Sequence, residues 1–317
     1  MKIIILGYTG LIGSSVLRRL AKNKSFNLIC VGRTDDKILT KNKKIQYLKW
    51  DFKTFENSKV YFLRKGNIVI NCIGKSNNNS KNLKYINTLF VKKLTDHINK
   101  NKYKIRLIHL SSVSVYGQNL SFNKKYKIFT ENEKLRSSNM YSKSKIKAEK
   151  FIKYASYRNL NNNYSFTILR ISNVFGTKEK TNLFKFVAAS FKIGFWIKCS
   201  ENIMFNFVHV KDVAQAIYQV VLKLKVSKNK TYNVANDFTQ KQIYKNYEKL
   251  FKKKLIEIDI SIKILKFFYH FFPIPNKILN LFLLISSQVN YSNNKIKKEL
   301  SFRPKYCIKN FIKIINE

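Results

Sequence analysis

Residues 2–20 read KIIILGYTGLIGSSVLRRL, and the meaning of this stretch decides the fold. Lys2 to Leu6 is a short apolar run, the pattern of a buried strand. Gly7, Gly10 and Gly13 follow at GxxGxxG spacing, and Val16, Leu17 and Leu20 then recur at helical spacing. Strand, glycine turn and helix start are what a dinucleotide site requires. The first glycine permits a tight turn, the second lets backbone approach a pyrophosphate, and the third lets the helix pack closely on the strand. The backbone of Gly7, Gly10, Leu11, Ile12 and Gly13 then faces the phosphates at a helix N-terminus. The plainer alternative is a strand-turn-helix corner of some other α/β protein.

Outward from that turn, strand-like and helical patterns alternate. FNLICVG (26–32), IQYLKWDF (45–52) and NIVINCIG (67–74) read as the second to fourth strands. The last is continuously apolar, which suits a parallel sheet covered on both faces. Leu83 to Asn99 reads as a helix with Ile86, Phe90, Leu94 and Ile98 on one face. IRLIHLSSVSVYG (105–117) is a fifth strand with a serine-rich end, a helix follows near Tyr141 to Tyr154, and SFTILRISNVFG (165–176) is a sixth strand. The alternation predicts a doubly wound parallel sheet with ligands at the carboxyl ends of its strands. Past Thr177 the pattern loosens. NFVHVKDVAQAIYQVVLKL (206–224) reads as a strand and then a helix capped by Asp212; TYNVAND (231–237) reads as a strand. Ile260 to Ser287 is rich in Ile, Leu and Phe, broken by Pro273 and Pro275 into two helical pieces, and 293–306 is a helix ended by Ser301 and the Arg303-Pro304 step. No internal repeat or clear linker is present.

At 317 residues, 45% hydrophobic, the chain buries a substantial core and is not disordered. With only nine glycines in all, the opening cluster is a concentration. The formal charge of +45 comes from 62 Lys+Arg against 17 Asp+Glu. The excess is mostly lysine, dispersed and mixed with asparagine, as in a Lys/Asn-biased proteome; attraction to anionic membrane or nucleic acid is the alternative, and either way a polyanionic substrate meets a favourable field. Cys30, Cys72, Cys199 and Cys307 show no CxxC, and the four histidines no ligand spacing, so buried reduced thiols are expected and no metal site. The strand begins after one lysine, and the most apolar stretch, Ile278 to Ile285, is too short to span a bilayer, so a soluble cytoplasmic protein without a signal peptide is expected.

Tyr141-Ser-Lys-Ser-Lys145 places a phenol and an amine four apart on one helix face. A lysine ammonium near a phenol stabilises the phenolate and draws its pKa toward working pH, so the phenol can trade a proton with a substrate oxygen. Alone, YxxxK in a lysine-rich chain is a solvated helix face. Ser111 and Ser112 give it company, since they end a strand that should abut the glycine turn.

With those residues in hand, the chain resembles the extended short-chain dehydrogenase/reductase family, the group of nucleotide-sugar epimerases, dehydratases and ketoreductases. The carriers are GYTGLIG, HLSSVSVYG (109–117), YSKSK (141–145), LRISNVFG (169–176), FVHVKDVA (207–214), YNVAN (232–236) and a terminal KKELSFRPKY, covering nearly the whole length. The resemblance implies a Rossmann domain over 1–176 and a smaller C-terminal α/β substrate lobe over 177–317, with some segments returning to the Rossmann core. It implies Ser112 as the catalytic hydroxyl and Tyr141 as the acid/base, with Lys145 holding the nicotinamide ribose and tuning Tyr141. It also implies Asp51 at the adenine ring, Asn173 near a sugar-nucleotide diphosphate and Asn87 in a structural role. A homodimer through the helices after the fourth and fifth strands rests on the resemblance alone.

Departures sharpen the expectation. Where NAD-preferring members end the second strand with an acidic residue, Gly32 and Arg33 stand here. A small residue leaves room and an arginine can pair with a 2′-phosphate, so NADP(H) is favoured, with NAD(H) the alternative through Asp35 or Asp36. Val113 and Ser114 replace the Asp-Glu pair of dehydratases, which argues against dehydration. Phe205 replaces the diphosphate-gripping arginine of the uridine-diphosphate sugar epimerases, leaving Lys192 and Lys198 as substitutes. The leading expectation is NADP(H)-dependent reduction of a 4-keto sugar, nucleotide- or polyprenyl-linked, in surface-polysaccharide synthesis. The alternatives are an NAD-dependent nucleotide-sugar 4-epimerase and, from another class, a cofactor-sensing or nucleic-acid-binding relative without catalysis. Residues 260–287 either cover the substrate lobe or lie on an anionic membrane.

Overall fold

The computed structural model describes residues 1–34, 38, 43–52, 55, 57–76, 83–117, 127–159, 163–176, 182–198, 203–260 and 289–316. Asp35, Asp36, Cys199, His270 and the stretch 261–288 therefore lie outside the described residues, as does the Lys198 side chain.

A seven-stranded parallel sheet forms the centre. Its strands are β1 (Lys2–Leu6), β2 (Asn27–Gly32), β3 (Ile45–Lys49), β4 (Ile68–Asn71), β5 (Ile105–Ser112), β7 (Tyr164–Ile171) and β12 (Lys230–Val234), while β6 (Lys127–Phe129) with β15 (Val289–Tyr291) and β10 (Met204–Phe205) with β13 (Phe238–Thr239) form short pairs outside it. They run in the order β12-β7-β5-β4-β1-β2-β3, so the chain reverses direction across the sheet between β1 and β4. This is a Rossmann-type doubly wound sheet, and the crevice at its switch point is where such sheets take ligands.

The apolar run of β1 is explained by two-sided burial. Ile3 and Ile5 join one core, and Ile4 and Leu6 join the other. Helices α1 (Leu11–Leu20) and, far along the chain, Val210–Leu222 cover the first face with Val16, Leu17, Leu20, Val213, Ile217 and Val220. Helices α2 (Phe90–Lys100) and α3 (Met140–Tyr157) cover the second with Phe90, Leu94, Ile98, Ala148 and Ile152. Each fully buried Ile or Leu contributes about 1.5–3 kcal/mol, which favours both wrappings.

Some boundaries differ from the sequence reading, each for a local reason. The fifth strand stops at Ser112, because the Ser112 side chain accepts from Ser114 N at 3.2 Å and starts a 3-10 turn over Val113–Tyr116. The sixth strand splits: Ser172 N bonds Val234 O at 3.1 Å, while Asn173 N bonds Asn206 O at 3.3 Å. Thus β8 (Asn173–Phe175) leaves the main sheet to pair with β11 (Phe207–His209). The helix before Asn99 opens with a π-helical stretch, Lys84–Leu89. Asp212 does not cap Val210–Leu222; His209 does, accepting from Lys211 N at 3.2 Å. Asp212 instead accepts from Lys305 N and Tyr306 N at 2.9 and 3.1 Å. Ser301 ends Asn294–Leu300 in the left-handed region, as expected.

Past residue 176 the chain builds an aromatic core of its own. Phe175, Phe191, Trp196, Phe205, Phe207, Tyr247 and Phe311 pack together, with Phe191 stacked on Tyr247 at 3.9 Å between ring centroids. Two-stranded pieces surround it, among them β9 (Phe195–Lys198) with β14 (Ile256–Asp259). The same part of the chain sends β12 and Val210–Leu222 back to the central sheet. Among the described residues no helix is long and apolar enough to cross a membrane. Cys30 is buried, Cys72 half-buried and Cys307 exposed, each a free thiol.

Candidate active site

The glycine turn carries two different demands. Gly7 sits at φ +76, where a side chain is strained, and its N–H donates to Val31 O at 2.8 Å. A Cβ on Gly13 would lie 2.2 Å from Gly7 O, so α1 packs on the turn at a distance only glycine allows. Gly10 has neither reason: its φ is −70, and a Cβ would meet only Gly7 O, at 3.4 Å. The space before Gly10 is free for a group outside the fold. Gly10 is also the N-cap of α1, without a side chain to cap it and with no acidic residue in the first turn. The first N–H groups of the helix, from Leu11, Ile12 and Gly13, are therefore available to an anion. The turn fits a pyrophosphate.

Tyr141 and Lys145 are presented by the start of α3. Asn139 and Ser142 form a reciprocal capping box, with Ser142 N donating to Asn139 Oδ1 at 2.8 Å and Asn139 N to Ser142 Oγ at 3.1 Å. That cap fixes the first turn, and with it Tyr141. The Tyr141 phenol neighbours the Ser112 hydroxyl; burial raises the phenol's pKa, and Ser112 opposes the rise. Lys145 is 5% exposed, and its Nζ donates to Leu110 O at 2.8 Å, 5.9 Å from the centroid of the Tyr141 ring. Burial pushes the Lys145 ammonium down to about 8, against the pull of Glu149 and then Cys72. The expected lowering of the phenol by Lys145 is thus not seen: the ammonium is bound to a backbone carbonyl, and burial of the ring dominates.

The two halves of the site meet through the end of β4. Ile73 lies against Gly7, where an added Cβ would be 3.0 Å from Ile73 Cγ1; Gly74 lies against Lys145, whose Nζ would be 3.3 Å from a Cβ there. Asn87, on the π-helical stretch, braces this corner: its Oδ1 accepts from Lys75 N at 3.0 Å and its Nδ2 donates to Lys75 O and Ser144 Oγ at 2.9 and 3.0 Å. Phenol, amine and hydroxyl are therefore gathered beside the opening turn.

The other sequence-derived positions divide. Arg33 and Asp51 emerge exposed from adjacent strand ends, tied by Trp50 N to Gly32 O at 2.7 Å, and the Arg33 guanidinium lies 5.9 Å over the Phe52 ring. Asn173 is exposed on β8 and donates from Nδ2 to Asn206 O at 3.0 Å. Phe205 is fully buried in the aromatic core, so that position is structural here. Lys192 sits exposed in the last turn of the helix Asn182–Ile193. Sequence reasoning missed a buried network behind the site, in which Arg170 binds Glu149 and Tyr116. The signal was there: an arginine inside the apolar run of β7 must find a buried partner.

A family model for the NAD dependent epimerase/dehydratase family matches residues 3–235. The chain belongs to this family. Three solved structures share the fold over nearly the full length. UDP-glucuronic acid 4-epimerase from Bacillus cereus, in complex with NAD, superposes with a TM-score of 0.74 at 16% identity, covering 100% of this chain and 99% of that one. The UDP-Glc/GlcNAc 4-epimerase of Campylobacter jejuni gives 0.74 at 20%, covering 99% and 97%. The dTDP-glucose 4,6-dehydratase of Bacillus anthracis, in complex with NAD, gives 0.72 at 17%, covering 100% and 96%. No curated protein matches the chain in sequence. It is an enzyme of the epimerase/dehydratase family by that membership.

The expectation of NADP(H) finds no support. The room supposed at Gly32 is taken by Tyr8, whose ring carbon would lie 2.9 Å from an added Cβ, and the Tyr8 hydroxyl donates to Thr34 O at 3.1 Å. Glycine stands there to admit an internal ring. Two of the solved structures above are complexes with NAD.

Proposed function

We propose that this epimerase/dehydratase enzyme uses NAD to act on a hydroxyl-bearing ring carbon of a nucleotide-linked sugar, with 4-epimerisation as the overall reaction. The observation that carries the reading is the buried Lys145, bound to Leu110 O and 5.9 Å from the Tyr141 ring with Ser112 next to the phenol, beside a turn whose Gly10 has no internal need to be glycine. The expected reductase rested on NADP(H), and without that preference a redox-neutral reaction is the simpler assignment. Reduction of a 4-keto sugar would use the same residues in one direction.

Gly7, Gly10, Leu11, Ile12 and Gly13 would hold the pyrophosphate of NAD, Asp51 and Arg33 would flank its adenosine end, and Lys145 would hold the nicotinamide ribose. When bound, NAD supplies the group that accepts and returns hydride. Tyr141 takes the proton from the substrate hydroxyl and later gives it back. Ser112 shares the same oxygen and keeps it at hydrogen-bond distance from the phenol. The resting phenol, raised by burial, carries its proton, the state needed to protonate an alkoxide. The opposite half-reaction needs a phenolate, which Ser112 stabilises. Asn173 would meet the substrate's diphosphate. With Phe205 in the core, no arginine grips from that side, and the lysine-rich surface supplies the attraction. We also retain the division at residue 176 into a dinucleotide domain and a substrate lobe.

The test is a single-turnover experiment with the full chain, NAD and a panel of UDP- and dTDP-sugars, following NADH absorbance and product stereochemistry by NMR. Isomerised product without net NADH supports epimerisation. In a parallel arm given NADH and a nucleotide-linked 4-keto sugar, stoichiometric NADH consumption assigns a reductase. Failure to bind NAD ends the reading.

A further inference from the structure

Helix α3 meets the end of β5 at successive turns. Ser112 neighbours the Tyr141 phenol, Leu110 O accepts from Lys145 Nζ at 2.8 Å, and Ser111 Oγ donates to Glu149 Oε1 at 2.6 Å. Tyr141, Lys145 and Glu149 follow one another at intervals of four, on one helix face. The deepest contact is the most constrained. Glu149 is 1% exposed, and Arg170, 2% exposed, grips it with both arms: Nε to Oε1 at 3.0 Å and Nη2 to Oε2 at 2.7 Å. Arg170 stands opposite Ser111 in the β5–β7 register, and its Nη1 also donates to the Tyr116 hydroxyl at 2.9 Å.

An ion pair this deep is a poor device for stability, because desolvating both charges offsets most of their attraction. Apolar side chains of similar volume would fill the space as well. The charge needs another explanation, and the groups facing Lys145 supply one. Cys72, at the end of β4, is pushed up to about 12 by burial, so it is a neutral thiol near pH 7. His109 of β5 is pulled well down by burial and then by Lys145, so it is neutral too. Tyr141 carries its proton. Among the described residues acting on Lys145, Glu149 is the formal anion.

We propose that Glu149 is a positioning residue for Ser112, Tyr141 and Lys145: locked to β5 through Ser111 and to β7 through Arg170, it sets the register of α3 against the strand end and supplies the negative charge that keeps Lys145 an ammonium. The inference rests on the reading of those residues under Proposed function, but its test does not depend on turnover.

Carbamylation of the full chain by cyanate, followed across pH 6–10 by mass spectrometry of the Lys145 peptide, reads the protonation of that amine directly. NAD affinity over the same range is the second measurement. Two variants are compared with the native chain: Glu149→Gln, and the neutral pair Glu149→Leu with Arg170→Met, which leaves no buried charge unpaired should Glu149→Gln fail to fold. The midpoint at Lys145 falls by about one pH unit in Glu149→Gln, as loss of a neighbouring opposite charge requires, and by less in the neutral pair, which also loses the Arg170 cation, while the exposed Lys147 is unmoved. An unmoved midpoint in a folded variant assigns the pair to stability alone and overturns the inference. If the native chain binds no NAD, the proposed function fails, and the carbamylation profile still decides the role of Glu149.

Discussion

Replacing Gly13 by alanine puts a Cβ 2.2 Å from Gly7 O, 2.8 Å from Tyr8 Cα and 2.9 Å from Gly7 C. All three are backbone atoms, so no rotamer change relieves the overlap, and α1 must lift by about an ångström from the turn. Overpacking costs about 1–3 kcal/mol, and a 2.2 Å approach to backbone belongs at the upper end, about 2–3 kcal/mol; alanine's better helix propensity returns about 1 kcal/mol. The net expectation is a loss of about 1–2 kcal/mol in urea unfolding, with NAD binding weakened because the first N–H groups of the helix move with it. Gly10→Ala is the informative contrast. Its φ is already ordinary and its Cβ would meet only Gly7 O, at 3.4 Å. Stability should hold within about 0.5 kcal/mol. Calorimetric titration with NAD should nevertheless show at least a tenfold weaker Kd, about 1.4 kcal/mol, since the methyl group occupies the approach to the helix N-terminus. Gly10→Ala binding NAD as tightly as the native chain would remove the pyrophosphate from this turn. Gly13→Ala as stable as the native chain would refute the packing argument.

Other outcomes follow from the same geometry. Tyr141→Phe should keep the fold and NAD binding but lower turnover by about 10³-fold, the usual worth of a positioned proton donor; steady-state kinetics checks it, and a loss under tenfold would assign the proton to another group. Turnover that needs the Lys145 ammonium should fall as pH rises through about 8, and a pH–rate profile flat from 7 to 10 would contradict this. Asp237 is pushed up to about 7 by burial, against hydrogen bonds from Tyr291 N and Asn206 Nδ2. A carboxyl with a raised folded pKa binds more protons folded than unfolded between its ordinary value and 7, so its contribution to stability falls as pH rises through that window. Asp237→Asn keeps the acceptor and should leave stability unchanged near pH 3, below the carboxyl's ordinary value, and increase it at pH 8, by urea unfolding at both; equal effects at the two pH values would show that the carboxyl does not titrate there.

The central sheet was legible because its signals are local and redundant. The run KIIIL is apolar on both alternations, and β1 is buried from two sides. The glycine spacing was legible too: Gly13 was read as the close-packing position, and the 2.2 Å approach of an added Cβ to Gly7 O agrees. Strand ends were read too long wherever a side chain took over a backbone partner, as Ser112 does for Ser114 N. The short strands of the lobe were missed because pairs such as Met204–Phe205 with Phe238–Thr239 are too brief to show a period. Tyr141 and Lys145 were singled out by their four-residue spacing and Ser112 by the resemblance, since YxxxK alone says little in a lysine-rich chain. Glu149 was passed over as one more charge on a lysine-rich helix, since burial, the fact that makes it unusual, is not written in the helix pattern.

The cofactor expectation failed for a reason that bears on every glycine argument in this chain. An absent side chain was taken as room for a ligand, yet at Gly32 the room is filled by Tyr8, an internal ring tied to Thr34 O. A glycine marks a ligand only after the fold's own claims on the space are subtracted. By that criterion Gly32 and Gly13 drop out, Gly7 answers to its backbone angle, and Gly10 remains. The same subtraction applies to charge. A lysine in a chain of net charge +45 says little about function. Lys145 stands apart because it is buried, bound to Leu110 O and opposed by a carboxylate that is itself clamped. Catalytic meaning attaches to the groups whose burial the fold alone does not require.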